Sequence, residues 1–418
     1  MSEETCHDSN HKKEKKEKKK HHCRKRRPRL SIVFIECPTK REPVRVSDRY
    51  DVTNLVSDIP GLARFTDPNL VNPWGLSNNG TGPWWVSDNG KGLSTLYDGS
   101  GTPQPLVVTI PPPVGGSPPS APTGNAFNTA HASNPTAFVV TSGTQSGPSL
   151  FLFATEDGTL SGWNPQVNAT NAILAVDRSS TGAVYKGLAM GLDLTGAPVL
   201  YATNFNAGVV ELFNASFGLV RTFTDPGLVA NCPLPGQCFA PFGIARIGNF
   251  VYVTYALQKP GKHDDQAGLG NGFVSVFDAS GNFVRRLVSN GVLNSPWGLT
   301  VAPHSGFGCR FAGALLVGNF GDGLIHAYDR TTGTLLGTLE GAFGQPLMIE
   351  GLWAIEFGNG GQAGPTSTLF FTAGINGEAD GLFGAITLRP HQIIPEPKPH
   401  CPRDRHHHRR DHHHQCKC

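Results

Sequence analysis

The residues of this chain best suited to chemistry are carboxylates, amides and imidazoles placed beside short apolar runs. Asp88, Glu156, Asp157, Asn204 and Asn319 each follow such a run, as does Asn89, while Asn72, Asn294 and Glu350 precede one. A separate trio, His263-Asp264-Asp265, sits in the long loop 258–271. Carboxylate and amide oxygens that converge on one opening suit hard cations such as Ca²⁺ or Mg²⁺. An ion held there would polarise a lactone or ester carbonyl, with His263 or Asp264 as the proton carrier. A plainer role competes with this one, because Asp and Asn also cap tight turns by bonding their own backbone.

Those residues matter together only if the fold gathers them, and the apolar runs say that it does. One run recurs with a glycine near its start: Pro73-Trp-Gly-Leu-Ser, Pro122-Thr-Gly-Asn-Ala, Tyr185-Lys-Gly-Leu-Ala, Pro241-Phe-Gly-Ile-Ala, Pro296-Trp-Gly-Leu-Thr and Gly351-Leu-Trp-Ala-Ile. With Gly75, Gly124, Gly187, Gly243, Gly298 and Gly351 as markers, the spacings are 49, 63, 56, 55 and 53. A second run follows each, as in Trp84-Trp-Val-Ser-Asp and Leu200-Tyr-Ala-Thr-Asn, and most units add a third, as in Val274-Ser-Val-Phe-Asp. Polar and apolar residues alternate and then stop at Asp, Asn or Gly, as in half-buried antiparallel strands.

Six repeats of this kind predict an all-β protein: one six-bladed β-propeller over residues 50–390, with four-stranded antiparallel blades around a channel. The stretches 52–62 and 381–388 are the expected partners in the blade that closes the ring. In such blades the end of the second strand and the start of the first share a rim. That rim would collect the polar residues named above, with loop 258–271 hanging over it. Trp74, Trp297 and Trp353 recur at nearly one repeat position and read as packing residues between blades.

Composition agrees with this reading. Glycine (51) and proline (33) are abundant and only 16 % of residues are charged, which favours turns and strands over helices. The charge is uneven. Residues 1–49 hold 16 Lys/Arg against 8 Asp/Glu, whereas the whole chain nets only +3, so an acidic core lies between basic tails. Segment 1–49 cannot bury enough apolar surface to order itself and is expected to be disordered. Segment 391–418 carries His406–His408 and His412–His414 and is expected to behave likewise. The tails could hold polyanions through their basic residues or transition metals through imidazole and thiolate. No run is long and apolar enough to span a bilayer, and the polar N-terminus is not a clear signal peptide. Six of the nine cysteines lie in the tails; Cys232 and Cys238 flank a Pro/Gly loop and could pair in an oxidising compartment. No phosphate-cradling loop, G-x-S-x-G elbow or CxxC pair is present, and Gly143–Gly147 reads as loop.

The stretches Asn72-Pro-Trp-Gly-Leu-Ser, Ala154-Thr-Glu-Asp-Gly-Thr-Leu-Ser-Gly-Trp-Asn-Pro, His263-Asp-Asp and Leu316-Val-Gly-Asn-Phe-Gly-Asp-Gly resemble a bacterial family of six-bladed propeller proteins. The blades are also similar to NHL-repeat and gluconolactonase-like propellers. This resemblance implies the fold and an extracellular setting, although neither tail matches that family, and it supplies no activity. Two functions are therefore expected to compete. One is a non-enzymatic, monomeric binding or scaffold module that presents its loop-rich face to a protein or glycan. The other is a divalent-metal-dependent lactonase, hydrolase or lyase.

Overall fold

A computed structural model describes residues 48–229, 232–233 and 236–390; the tail expectations for 1–47 and 391–418 lie outside it. Six four-stranded antiparallel blades form a closed ring, and the sixth adds the short strand Phe65–Thr66 parallel to its outer edge. The innermost strands are Pro73–Ser77, Pro122–Phe127, Tyr185–Leu192, Phe239–Ile247, Pro296–Val301 and Leu352–Phe357, and each packs on the next, the last on the first. The sixth blade closes the ring as expected: Tyr50–Ser57 pairs antiparallel with Asp380–Leu388, in a register from Tyr50↔Leu388 to Ser57↔Leu382. The long spacing between Gly124 and Gly187 has a visible cause. Blade two inserts a hairpin, Val139–Ser142 against Gln145–Pro148, between its first and second strands, so Gly143–Gly147 is partly strand rather than loop.

The repeated Pro-x-Gly has a structural cause at the inner strands. Each inner strand shifts register against its neighbour near this motif, as between Pro73 and Leu76 or Pro296 and Gly298. Proline donates no ladder bond there, and the bulge brings the strand close to the next blade. A Cβ on Gly75 would lie 2.5 Å from the Thr123 carbonyl, and one on Gly298 would lie 2.7 Å from the Trp353 carbonyl. Threonine hydroxyls then latch blade to blade. Thr203 Oγ1 donates to Phe242 O (2.8 Å), and Thr372 Oγ1 donates to Trp74 O (2.6 Å) across the closing seam. In the sixth blade the matching residue is Ala354, not Gly351: Ala354 N donates to Thr372 Oγ1, whereas Gly351 precedes the strand in a left-handed conformation. Gly351 therefore marks a turn rather than the repeat position.

Among the described residues the apolar core divides into six clusters between neighbouring sheets and a seventh in the channel. Trp74, Trp297 and Trp353 belong to that central cluster with Phe205 and Phe242. They are packing residues between blades, as expected, but they meet at the channel axis, where Trp353 contacts Trp74 and Trp297 of the two adjacent blades, and not between the sheets. Trp353 stacks on Trp74 at 3.5 Å between ring centres and on Phe320 at 4.0 Å, with Trp297 edge-on at 5.9 Å. The stack plugs the channel and separates an upper mouth, where inner strands begin, from a lower one, where they end.

Candidate functional site

The upper mouth is assembled by strand ends and one loop. Loop 258–271 joins Phe250–Leu257 to Gly272–Asp278. It is tied down to both neighbouring blades: Gln258 Nε2 donates to Phe205 O (2.6 Å) and Gly268 N to Asn294 Oδ1 (2.7 Å). Lys259 N bonds Asp264 O at 2.8 Å, which folds the loop back on itself. So held, His263 Nδ1 sits 2.8 Å from Asp264 Oδ1 and 4.0 Å from Glu156 Oε1. Glu156 follows the second strand of blade two, so blades two and four meet over the opening.

Between them stands Lys186, the residue before the repeat glycine of blade three. It is 2 % exposed, forms a direct ion pair with Glu156, and lies 3.9 Å from Asp264 Oδ1. Its Nζ is also 5.0 Å from the centre of the Trp74 ring, a distance at which the aromatic face attracts a cation. A buried ammonium is tolerated only with such partners. The network continues outward: Asn89 Nδ2 donates to Glu156 Oε2 (3.0 Å), and Asn72 Nδ2 to Asn89 Oδ1 (3.3 Å) and Glu378 Oε2 (2.9 Å). Trp353 Nε1 donates to Asn72 Oδ1 at 3.1 Å, joining the polar rim to the aromatic plug.

Lys186 is surrounded by acids whose ionisation responds to it. Burial works to raise the Asp264 carboxyl, but the His263 hydrogen bond and the Lys186 charge outweigh it and hold the group below the usual range. Burial raises Glu378, helped by the nearby Glu156 and Asp265 and opposed by Asn72 and Lys186. Asp265, 7 % exposed, is raised by burial against the pull of Ser295, Lys186 and Lys259.

Of the rim residues expected from sequence to bind metal, the structure brings Glu156 alone to the His263-Asp264 pair. Asp88 is fully buried beside Thr95 and Asp67, and burial pushes its carboxyl well up. Asp157 Oδ2 accepts from Ala121 N (2.8 Å) and fastens a loop. Asn204 donates to Glu211 Oε1 (2.9 Å), and Asn319 donates to Val292 O and Asp322 Oδ1. Glu350 accepts from Gly377 N at 3.2 Å. Asp157, Asn204, Asn319 and Glu350 are thus engaged with their own blades or neighbouring loops, while both Asp88 carboxylate oxygens are buried without a hydrogen-bond partner. Away from the rim, Cys232 and Cys238 are joined by a disulfide around their loop.

Sequence reasoning missed Lys186 and Glu378. A signal for Lys186 existed: the residue at that repeat position is Trp74, Thr123, Lys186, Phe242, Trp297 and Trp353 in successive blades, and only blade three offers a charge.

The ligand atoms of Glu156, His263 and Asp264 lie within 4.8 Å of one another, a donor set that could hold a divalent ion. The fit fails on charge. Lys186 already supplies the positive charge that Glu156 requires, and an added dication would face an ammonium at close range.

No family model matches the chain. Two curated proteins do, along most of their length. The uncharacterised protein R648 of Acanthamoeba polyphaga mimivirus is 33 % identical over 352 residues, covering 82 % of either chain. The uncharacterised protein L690 of the same virus is 32 % identical, covering 82 % of this chain and 87 % of its own. The chain belongs to the family of these mimivirus proteins. Its relatives here are viral, and they carry no described activity for this member to inherit.

Among solved structures, the virginiamycin B lyase of Staphylococcus aureus matches 82 % of this chain and all of its own, at 12 % identity and a TM-score of 0.46. The luciferin-regenerating enzyme matches 76 % of this chain and 91 % of its own, at 14 % identity and a TM-score of 0.44. Neither likeness is close enough to transfer chemistry. Among the described residues no helix is long and apolar enough to cross a membrane.

Proposed function

We propose that this propeller is a non-enzymatic binding module and that its upper mouth receives a hydroxyl-rich ligand, a glycan. The observation that carries this reading is the position of Lys186, which neutralises Glu156 and approaches Asp264 where a catalytic cation would otherwise sit. What remains at the surface is a fixed set of acceptors and donors: the half-exposed His263 and Asp264, with the amides of Asn72 and Asn89 behind them. Carboxylates and amides held by a rigid scaffold suit sugar hydroxyls, and a loop pinned at both ends spares the ligand the cost of ordering it. The aromatic plug closes the channel beneath, so the ligand lies across the mouth rather than threading it.

The competing reading is a metal-dependent lactonase, supported by the mutual closeness of Glu156, His263 and Asp264. A glycan array probed with the full chain separates the two. Retention of one glycan class, lost in a His263→Ala/Asp264→Ala double variant, supports the binding module. Hydrolysis of a lactone panel that chelator abolishes would replace it with the enzyme.

A further inference from the structure

The lower half of the channel is a separate cavity of about 300 Å³, within the size range of small-molecule sites. All six inner strands line it. Each of them pairs on one edge only, so their other backbone edges face the channel. Leu76, Leu188, Leu299 and Ile355 contribute to the lining with Trp297, while Leu188, Leu299 and Ile355 bury most of their side chains in the clusters between the sheets.

Three polar atoms in this lining are buried and without a hydrogen-bond partner: Ser77 Oγ, Asn125 Oδ1 and Arg246 Nη1. Asn125 is only 6 % exposed; its Nδ2 donates to Trp85 O (3.0 Å) while its oxygen is left unmatched. Burying a polar atom without a partner costs on the order of 1–3 kcal/mol, so three at one cavity call for an explanation. Arg246 is half-buried, and its Nη1 alone is left unmatched. Among the described residues it forms no ion pair, and its other terminal nitrogen reaches only Leu192 O at 3.5 Å. The other charged side chain in the lining is Glu356. Its carboxylate oxygen accepts from Thr300 Oγ1 (3.2 Å) and Phe357 N (3.1 Å), and burial pushes the group up to about 7. Near neutral pH it is therefore partly a neutral acid, which can donate a hydrogen bond and does not repel an anion.

We propose that this lower cavity is a second, independent binding site, and that it takes a small organic carboxylate with an apolar body. The carboxylate pairs with the Arg246 guanidinium, which has no ion pair among the described residues and whose planar fork suits it. The body lies along the inner strands that wall the cavity. A donor group on the ligand, where there is one, meets Asn125 Oδ1. The site is at the opposite end of the channel from the His263 loop and uses none of its residues.

Calorimetry on the full chain tests this with hexanoate as probe and hexanamide as its uncharged match. Hexanoate is expected to bind at pH 6, and hexanamide at least about tenfold more weakly, since a charge-assisted bond contributes about that much. Arg246→Met should bring hexanoate down to the level of hexanamide, and Arg246→Lys should restore part of the difference. Glu356→Gln should retain binding and flatten its decline above pH 7. Equal binding of the acid and the amide, or no heat from hexanoate up to about 10 mM in folded wild-type protein, would overturn the proposal.

Discussion

The two mouths of the channel are built from the same six strands yet solve opposite problems. At the upper mouth charges are crowded and matched: Lys186 meets Glu156 and approaches Asp264, and Asn72 and Asn89 bridge the remaining carboxylates. At the lower mouth charges are few and unmatched among the described residues: Arg246 carries no ion pair there and Glu356 accepts from a hydroxyl and a backbone amide. The difference follows from what positions each rim. Loops that cross between blades can bring side chains to one another, whereas the lower half is walled by strand backbones and keeps open space.

The same kind of change should therefore act in opposite directions at the two ends. The largest expected effect is Lys186→Met. Removing the ammonium strands Glu156 and its acidic neighbours in a buried setting, and denaturant unfolding should show a loss of about 3–5 kcal/mol. The folded fraction of this variant should also gain affinity for Ca²⁺ or Zn²⁺, because Glu156, His263 and Asp264 lose their built-in cation. An unchanged midpoint would mean that the upper network is not charge-balanced as described.

At the lower mouth, deleting a charge should help. The Glu356 carboxyl is raised from 4.5 to about 7 by burial, so its neutral form is favoured in the folded state. For such a group stability is full below the unfolded value, falls as the unfolded chain ionises first, and levels off once pH passes about 7. Glu356→Gln should remove this fall and be more stable than wild type by up to about 3 kcal/mol at pH 8, with little difference at pH 4. Parallel stability profiles of the two proteins would break the contrast between the mouths.

A smaller change tests the wall that both mouths share. Thr372→Val deletes the hydroxyl that donates to Trp74 O across the closing seam and accepts from Ala354 N, and should cost about 1 kcal/mol for each bond lost, with a further penalty for the orphaned carbonyl and N–H. A much larger loss would place more of the ring's stability in that seam than in the sheet-to-sheet packing.

The ring was readable because its strands alternate so regularly. Val274-Ser-Val-Phe-Asp and Leu200-Tyr-Ala-Thr-Asn announce both their period and their stop, and the stretches that close the sixth blade lie at the two ends of the repeat array. The glycine markers were readable too, because backbones of adjacent blades meet at Gly75 and Gly298, where no side chain fits. Ala354 escaped notice since the sixth copy tolerates a methyl group at that position.

The site was only half visible. The His263-Asp264 loop and Glu156 stood out as polar residues at strand ends, but so did Asn204 and Asn319, and local sequence cannot tell an amide that caps its own turn from one that faces a channel. Lys186 was hidden inside a repeat element, where the fold required only a residue beside a glycine. The lower cavity left no motif, because its polar atoms come from four different blades and are joined only by the closure of the ring.

The central claim is that Lys186 serves as the resident cation of the upper mouth, leaving a binding surface rather than a metal centre. Calorimetric titration of Ca²⁺ into the wild-type chain and into Lys186→Met, side by side, tests it most directly. Wild type should show no binding tighter than about 1 mM and the variant should show some. Submillimolar binding to wild type that Glu156→Gln abolishes would contradict it.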